Sequence, residues 1–284
     1  VPHYIFGALA AMAILQIIFF AVFFGIAIVS IPEERSAPIR RLVDSLNDVF
    51  IKMVWMVMAA MPIFVFALMA GQIVDVAGKD PEKFAGLLDF LWRYSVVVVL
   101  GLALMAFVVY PLLAATFGKI SIRKFMSGIR EAQITAFSTS SSVATLPVTM
   151  ECLQKNLGVS KATASFVLPI GATVNMDGTS LYQAIAVVAM AQFSGVDLTL
   201  AQQGVIILTA TLASIGAAAV PSAGLVLMII VLESVGLNPA WIALIFPVDR
   251  ILDMCRTVVN VTGDATVATI VAKTEGQLDS EINS

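Results

Sequence analysis

Three long stretches without a charged residue restrict most strongly what this chain can fold into. They are residues 4–31, 53–74 and 94–118. A helix needs about 20 consecutive apolar residues to cross a bilayer, so each stretch is long enough to span one. The composition agrees, because 60% of the residues are hydrophobic and 12% are charged, against about 25% charged in an average soluble domain. The sequence therefore predicts an all-α integral membrane protein with several passes.

Charge and residue types exclude several classes of function. The net charge of −3 offers no basic surface for nucleic acid. His3 is the only histidine and lies at the start of the sequence, which excludes chemistry that needs a buried histidine. Cys152 and Cys255 are too far apart in the sequence to suggest a disulfide framework or a zinc knuckle. We therefore expect no enzymatic activity and no organic cofactor.

Two short segments in the second half of the chain are interrupted by small residues and proline. SSSVATLP (140–147) and SIGAAAVP (214–221) share Ser, Ala and Pro at the same spacing. Paired interrupted segments in corresponding positions are typical of transporters built from inverted repeats. If both segments are re-entrant hairpins, eleven Lys and Arg residues lie on one side of the membrane and three on the other, as the positive-inside rule requires. The sequence therefore favours two re-entrant hairpins, and it predicts an amphipathic helix on the membrane surface at residues 120–133.

A stripe of polar and charged residues marks the last apolar segment. Its members are spaced by four, three, four and four residues, which puts them on one helical face. They are Asp249, Asp253, Arg256, Asn260 and Asp264. Each unpaired charge at the bilayer centre costs about 2.5–3.5 kcal/mol, so these residues need partners or ligands. One interpretation is a structural ion-pair network, Asp249 with Arg256 or Arg250 with Asp253; the other is a site for a charged solute and hard cations such as Na⁺.

The sequence NMDGT, at residues 175–179, interrupts another apolar segment. Asp177 followed by Gly178 in the middle of a span disfavours a continuous helix. Backbone carbonyls freed at such a break can coordinate an ion. The alternative is a simple kink in which Asp177 caps the second half of the helix.

Four motifs together resemble one family of membrane transporters. They are TAFSTSSSVATLPVTM (135–150), LPIGATVNMDGTSLYQ (168–183), LASIGAAAVPSAG (212–224) and DRILDMCRTVVNVTGDATVATIVAK (249–273). In this order they resemble the sodium- or proton-coupled dicarboxylate/amino-acid symporter family, which includes archaeal aspartate transporters and animal excitatory amino acid transporters. The resemblance implies a glutamate-transporter-like fold with two re-entrant helical hairpins arranged as inverted repeats. It also implies a chain truncated at its N-terminus, without the family's first three helices.

The resemblance divides the chain into two parts. Residues 1–85 would be a scaffold and trimerisation part, with the end of the fourth and the fifth transmembrane segments. Residues 86–284 would be a transport domain, and the resemblance implies a homotrimer in the inner or plasma membrane. The segments of that domain would be the sixth segment, a hairpin at about 121–153, the seventh segment at about 160–194, a hairpin at about 198–235 and the eighth segment at about 239–273.

The resemblance also implies a substrate site. Arg256 would bind the side-chain carboxylate of aspartate or glutamate, and Asp253 would bind its α-ammonium group. Asn260 and the tip of the first hairpin would bind the α-carboxylate, while the second hairpin would close over the substrate as a gate. The implied substrate residues are Ser140, Ser141, Ser142, Thr179, Val220, Pro221, Ser222, Ala223, Gly224, Asp253, Arg256, Thr257 and Asn260.

Two or three sodium sites are implied in the same way. One would use side chains and one carbonyl group, from Asn175, Asn260, Asp264 and Gly171. A second would use carbonyl groups near Thr173, Ser214, Ile215 and Ala217, with Met176 nearby. Asp177 resembles a residue of a third site, whose other half belongs to a helix outside this sequence.

The chain departs from the family's pattern at three positions. Some archaeal members carry an arginine where this chain has Ser140, and animal members carry one where it has Met254. Arg250 lies one turn before Met254, and we hypothesise that it supplies a comparable positive charge. Ala219 stands where a glycine is usual in the gate, which bears on the flexibility of the second hairpin.

These inferences predict a secondary active symporter of L-aspartate or L-glutamate, driven by Na⁺ and working by an elevator-type movement. The same fold could carry C4-dicarboxylates or neutral amino acids, or use protons. Asp253 disfavours a dicarboxylate without an ammonium group, and Arg256 disfavours a neutral side chain. An ion channel, with the polar stripe lining a pore, is a further alternative. An intramembrane serine protease fails because His3 is the only histidine.

Overall fold

The computed structural model of the chain describes residues 6–7, 14–77, 81–217 and 222–279, which contain helices and no strand. One isolated bridge joins Val159 and Leu278. The predicted all-α class is therefore confirmed for the described residues. The α-helices are α1 (Ile14–Ser30), α2 (Glu33–Ala77), α3 (Pro81–Leu104), α4 (Tyr110–Thr116), α5 (Ile122–Thr139), α6 (Ser142–Leu157), α7 (Lys161–Val174), α8 (Asp177–Phe193), α9 (Leu200–Ile215), α10 (Ala223–Ser234) and α11 (Ile242–Thr274).

The chain divides into two units, Val1–Ala67 and Leu68–Ser284. The first unit exposes large apolar side chains, among them Phe19, Phe23 and Phe66. The second unit contains α3 to α11 and every candidate site residue that the structure describes. The division falls inside α2, before the predicted boundary at residues 85 and 86, and the assignment of a scaffold part and a transport part stays a prediction.

One helical run, Ala85–Thr116, is long and apolar enough to cross a membrane, judged by length and composition within the described residues. It contains most of α3, a five-residue π-helix (Met105–Val109) and α4. Its exposed apolar side chains include Leu100 and Phe107. Such a continuous apolar surface suits contact with lipid. Of the other two predicted spans, residues 53–74 lie within α2, and part of residues 4–31 lies within α1.

Helices α5 and α6 pack against each other across a two-residue turn and form a helical hairpin. The turn is sharp because Ser140 has a left-handed backbone with φ of 51°. Ser141 then caps α6 by accepting a hydrogen bond from the Ala144 N–H. The predicted tip at Ser140–Ser142 is therefore the observed turn between the two helices.

The predicted surface helix at residues 120–133 is part of α5 and is not a separate element. Its apolar positions Phe125 and Ile129 are fully buried in a core with Leu153 of α6 and Leu168 of α7. The apolar face therefore packs against protein where we expected lipid. An apolar stripe can be buried by protein or by lipid. The sequence pattern therefore did not distinguish a packed helix from a helix on the membrane surface.

The interruption predicted at NMDGT separates α7 from α8. Helix α7 ends at Val174, and the Asn175 N–H donates to the Gly171 carbonyl as its last helical bond. The N-cap of α8 is Met176, whose side chain makes no capping hydrogen bond, and Asp177 is the first helical residue, with its carboxylate bonded to the Tyr110 hydroxyl. The kink interpretation, with Asp177 as the cap, is therefore not what the structure contains.

Helices α9 and α10 form a second pair in contact with each other and with α8. A capping box at Thr199 and Gln202 starts α9, which ends at Ile215. Val220 and Pro221, two of the predicted gate residues, and Ala219 lie outside the described residues. Ser222 precedes α10 in a left-handed conformation, with φ of 60°.

Helix α11 organises the second unit. It contacts α3, α5, α7 and α8. A large apolar core around Tyr182 and Met228 surrounds its first half, and a second core around Phe125 and Ala265 surrounds its second half. The polar stripe of α11 is thus held between apolar layers, with both helical pairs close to it.

Candidate binding site around the last helix

The polar stripe of α11 is buried along its whole length. Its five members are between 1% and 6% exposed. They are Asp249, Asp253, Arg256, Asn260 and Asp264. Arg250, on another face of the helix, has a side chain that is 50% exposed. Buried charges are costly without partners, so the contacts of each one decide what the site can do.

Arg256 is the centre of the charged cluster. Its Nη2 lies 2.6 Å from Asp253 Oδ1 and 3.3 Å from Asp249 Oδ1. Its Cζ lies 4.0 Å from the centre of the Tyr182 ring, a cation–π distance. Its Nε and Nη1 have no hydrogen-bond partner among the described residues. Two donors of a fully buried guanidinium are therefore available to a ligand.

Asp249 is held by Ser222, which the sequence analysis named, and by Tyr182, which it missed. Its Oδ1 accepts a hydrogen bond from the Tyr182 hydroxyl at 2.8 Å, and its Oδ2 accepts one from Ser222 Oγ at 2.9 Å. Tyr182 lies one turn after Thr179, in the motif at residues 168–183. Its spacing from Thr179 was the signal that could have identified it as a site residue. The ion-pair interpretation is partly right, because Asp249 is paired with Arg256, and Arg250 Nη1 lies 3.8 Å from Asp253 Oδ2.

The second helical pair touches this cluster at the start of α10. The Ser222 N–H donates to Asp253 Oδ2 at 2.8 Å. A Cβ on Gly224 would lie 2.6 Å from Thr179 Cγ2 and 3.1 Å from Arg256 Nη1. The Gly224 carbonyl accepts from Gln183 Nε2 at 2.7 Å. Glycine therefore permits this close approach, and Gln183 is a second site residue that sequence reasoning missed.

The tip of the first hairpin is also buried. Ser140, Ser141 and Ser142 are 3%, 6% and 4% exposed. The Ser140 hydroxyl has no hydrogen-bond partner among the described residues. Both helices of this hairpin contact α11. The tip thus carries a buried polar group that a ligand could satisfy.

Asn260 joins α11 to the break before α8. Its Oδ1 accepts from the Gly178 N–H at 2.8 Å, and its Nδ2 lies 3.3 Å from Met176 Sδ and 3.5 Å from Thr179 Oγ1. Thr257 donates its hydroxyl proton to the Asp253 carbonyl at 3.0 Å, so that hydroxyl is used within α11. Of these contacts of the Asn260 amide, the one to Met176 is a weak hydrogen bond to sulfur and the one to Thr179 is long, so its N–H groups are suited to an anionic ligand.

A buried carboxylate lies further along α11. Asp264 Oδ1 accepts from Asn175 Nδ2 at 2.9 Å, and Asn175 Nδ2 is also 3.5 Å from the Asn260 carbonyl. A Cβ on Gly171 would collide with Asp264 Oδ1. No ion pair of Asp264 occurs within the described part of the chain, so a neutral amide is the partner of a 3% exposed acid. Such a group is stabilised by a bound cation.

Asp177 lies beside this carboxylate, at the exposed side of the break. Its Oδ2 accepts a hydrogen bond from the Tyr110 hydroxyl. A Cβ on Gly263 would lie 2.7 Å from Asn175 Nδ2 and 2.9 Å from the Tyr110 oxygen, so α11 needs a glycine there. Sequence reasoning missed Tyr110, which follows the π-helix directly and carried no signal beyond a tyrosine within an apolar stretch.

The second predicted cation set lies at the C-terminal ends of α7 and α9, two helices that contact each other. Ser214 and Ala217 are buried, and the Ala217 N–H donates to the Ser214 carbonyl. Ile215 ends α9, and Thr173 is in the last turn of α7 with its hydroxyl bonded to the Ile170 carbonyl. Carbonyl groups at helix C-termini carry partial negative charge, which suits a hard cation.

No group of three or more His, Cys, Asp or Glu residues suited to a metal ion occurs within the described ranges. The oxygen atoms near Asp264 and at the ends of α7 and α9 are instead mostly amide and carbonyl oxygens. Oxygen ligands of this kind are typical for hard cations and unlike the thiolate and imidazole sets of transition metals.

Known proteins similar to this chain are transporters. Mouse excitatory amino acid transporter 1 is 43% identical over 265 residues, which are 93% of this chain and 48% of that protein. The putative sodium-dependent excitatory amino acid transporter glt-4 of Caenorhabditis elegans is 43% identical over 262 residues, 92% of this chain and 51% of that protein. The chain thus spans about half the length of these curated relatives.

The family model for the sodium:dicarboxylate symporter family matches residues 1–274, nearly the whole chain. The four motifs, the helical fold and this match lead to one assignment. The chain belongs to the sodium:dicarboxylate symporter family.

Proposed function

We propose that this chain forms the binding site of a sodium-coupled symporter for acidic amino acids, L-aspartate or L-glutamate. The observation that carries the proposal is the state of Arg256. Two acids hold its Nη2, while Nε and Nη1 are buried without partners among the described residues. Charge-assisted N–H bonds from a guanidinium to a carboxylate are strong, so the side-chain carboxylate of an acidic amino acid fits beside these donors. The names of the relatives, which are excitatory amino acid transporters, support the same substrate class.

The other ends of the substrate would meet groups of matching charge. Asp253 would accept the α-ammonium group, because its carboxylate lies within the same buried cluster. Asn260 Nδ2 and the unpartnered Ser140 hydroxyl would donate to the α-carboxylate. Thr179 and Gly224 would line the pocket, with Ser222 and Ala223 at the edge of the gate.

Sodium would bind at two or three places. Asp264, Asn175, Asn260 and the Gly171 carbonyl would form one site, since a buried carboxylate there has only a neutral partner among the described residues. Carbonyls at the ends of α7 and α9 would form a second site near Met176, and Asp177 would contribute to a third. The relative named sodium-dependent supports the choice of Na⁺.

The membrane arrangement is part of the same proposal. Both helical pairs would be re-entrant hairpins whose tips meet within the membrane, related to each other as inverted repeats. Residues 86–284 would move as a transport domain against a scaffold formed by residues 1–85, in an elevator-type movement within a homotrimer. The inner or plasma membrane would be its location, and no enzymatic step is involved.

Uptake into proteoliposomes tests the function. With the full-length protein and an inward Na⁺ gradient, we expect saturable accumulation of radiolabelled aspartate above its external concentration. The reason is that coupled Na⁺ entry drives the amino acid inward. Collapse of the gradient by a sodium ionophore should abolish the accumulation. Ion currents that need no amino acid, without accumulation, would instead support the ion channel alternative.

Replacing Gly171 with alanine tests the cation site near Asp264. The new Cβ would collide with the Asp264 carboxylate, so the carboxylate must move. We expect at least about tenfold more Na⁺ to be needed for half-maximal aspartate binding, since one misplaced charged ligand costs roughly 1.5–3 kcal/mol. The measurement is a Na⁺ titration of aspartate binding to the full-length protein.

Gly204 provides the matched control, because it is a helical glycine in α9 with nothing within 4 Å of an added Cβ. Gly204→Ala should leave the Na⁺ titration unchanged. If Gly171→Ala gave the same titration as Gly204→Ala, the Asp264 cation site would be refuted.

A further inference from the structure

The carboxylate of Asp253 is surrounded by hydrogen-bond donors and positive charge from the protein itself. Its Oδ1 is 2.6 Å from Arg256 Nη2, and its Oδ2 accepts from the Ser222 N–H at 2.8 Å. Arg250 Nη1 lies 3.8 Å from the same Oδ2. In the proposed function, Asp253 binds the substrate's ammonium group. Its negative charge is, however, already compensated by these protein groups.

The cluster contains two acids and two arginines, and Arg256 is shared between the acids. Its Nη2 lies 2.6 Å from Asp253 Oδ1 and 3.3 Å from Asp249 Oδ1. Arg250 Nη1 lies 3.8 Å from Asp253 Oδ2, and the Arg250 side chain is 50% exposed. Arg250 is therefore the charge that offsets Asp253 once Arg256 is shared with Asp249. The Arg250 side chain approaches Asp253 from the more exposed side of the cluster. It can therefore remain near Asp253 or move into solvent when a ligand binds.

We propose that Arg250 determines how strictly the site requires an amino group on its ligand; this inference rests on the proposed function. With Arg250 in place, a dicarboxylate without an ammonium group does not leave Asp253 as an uncompensated buried charge. When Arg250 is replaced by a neutral residue, the ammonium group of a ligand is the best remaining group to balance the negative charge of Asp253. Arg250 is thus a specificity-determining residue that acts through Asp253.

Two ligands separate this role from direct contact with the substrate. Aspartate and succinate carry the same two carboxylates and differ in the amino group. If Arg250 bound a ligand carboxylate itself, its loss would weaken both ligands equally. If it compensates Asp253, its loss weakens succinate and leaves aspartate unchanged or tighter.

The experiment is competition against radiolabelled aspartate in Na⁺ buffer, using the purified full-length protein. The quantity measured is the ratio of the succinate to the aspartate dissociation constant. This ratio does not depend on the fraction of folded protein, because both ligands compete on the same sample. We expect Arg250→Gln to raise the ratio about tenfold, because Arg250 is half exposed and the effect of its charge should lie between that of a pair in water and that of a pair near a protein surface.

Three further variants complete the test. Arg250→Ala should raise the ratio as Arg250→Gln does, and Arg250→Lys should keep it within about threefold of wild type because the charge remains. Arg93→Gln is the matched control, since Arg93 is an exposed arginine in a 2.8 Å pair with Asp89 outside the cluster, and it should not change the ratio.

An unchanged ratio in both neutral variants, or equal weakening of the two ligands, would overturn the inference. Either result with normal sodium-dependent aspartate binding leaves the proposed function standing. Wild-type protein that binds no aspartate in Na⁺ would refute the proposed function itself, and with it this role of Arg250.

Discussion

Full-length protein with Arg256 replaced by threonine should bind aspartate roughly 30- to 1,000-fold or more weakly than wild type, a loss of about 2–5 kcal/mol. The change removes the guanidinium whose Nε and Nη1 lack partners among the described residues. It leaves Asn260 and the first hairpin tip available for the backbone groups of an amino acid. Neutral amino acids of similar size should therefore lose much less affinity than aspartate. Equilibrium binding of radiolabelled aspartate and serine to the same preparation measures both effects.

Removal of Arg256 also leaves Asp249 and Asp253 with less positive charge, so a loss of folded protein must be separated from a loss of affinity. The aspartate to serine ratio serves this purpose, because unfolding lowers the binding of both amino acids together. Arg93→Thr removes an exposed arginine outside the cluster and is the matched control. The assignment of Arg256 to the side-chain carboxylate is wrong if Arg256→Thr binds aspartate as tightly as wild type.

Sodium and aspartate should each strengthen the binding of the other. Asn260 would serve both ligands, and the carbonyls of Ser214 to Ala217 would complete a cation site when the second hairpin is closed over the substrate. Both ligands would favour the same closed state, so the coupling must be reciprocal. We expect tenfold more Na⁺ to tighten aspartate binding about tenfold or more, aspartate to tighten Na⁺ by the same factor, and K⁺ to do neither. Titrations of reconstituted full-length protein in NaCl and in KCl measure this.

Asp264→Asn should weaken that dependence, because it removes the full negative charge from the proposed site while keeping the side-chain shape. Asp197 is exposed in the turn between α8 and α9 and offers a matched control, since Asp197→Asn changes the same charge away from the site. Equal aspartate affinity in the two salts would reject sodium coupling. A symporter driven by protons would then be the surviving interpretation.

The sequence predicted the helical class and the places where helices break. Local chemistry sets these features: Ser140 and Ser141 favour a turn and a cap, and the residues around Asp177 interrupt a helix. The polar stripe was also predictable, because helical periodicity alone decides which residues share a face. Its burial followed from the cost of exposing such residues to lipid.

Of the partners that sequence reasoning missed, Tyr182 had a signal in its spacing from Thr179. Gln183 and Tyr110 had none. Tyr182 and Gln183 reach the cluster because α8 packs on α11, and Tyr110 reaches Asp177 because α4 also packs there. Such contacts depend on how separate helices meet. The ion-pair and ligand-site interpretations of Arg256 looked like alternatives in the sequence. In the structure one guanidinium is ion-paired through Nη2 and unpartnered at Nε and Nη1 within the described residues.

The π-helix between α3 and α4 sets which face of the apolar run Ala85–Thr116 is buried after it. Its buried side chains recur at every fourth residue, from Tyr94 through Val98, Leu102 and Ala106 to Tyr110. In an uninterrupted α-helix each such step overshoots one turn by about 40°, and four steps would rotate Tyr110 by about 160° from Tyr94. The π-helix at Met105–Val109 has more residues per turn, so each of its residues rotates less and the total rotation is smaller. One run can therefore bury an apolar flank at one end and direct the Tyr110 hydroxyl to Asp177 at the other, because the π-helix, which ends just before Tyr110 and Pro111, adjusts its angular register.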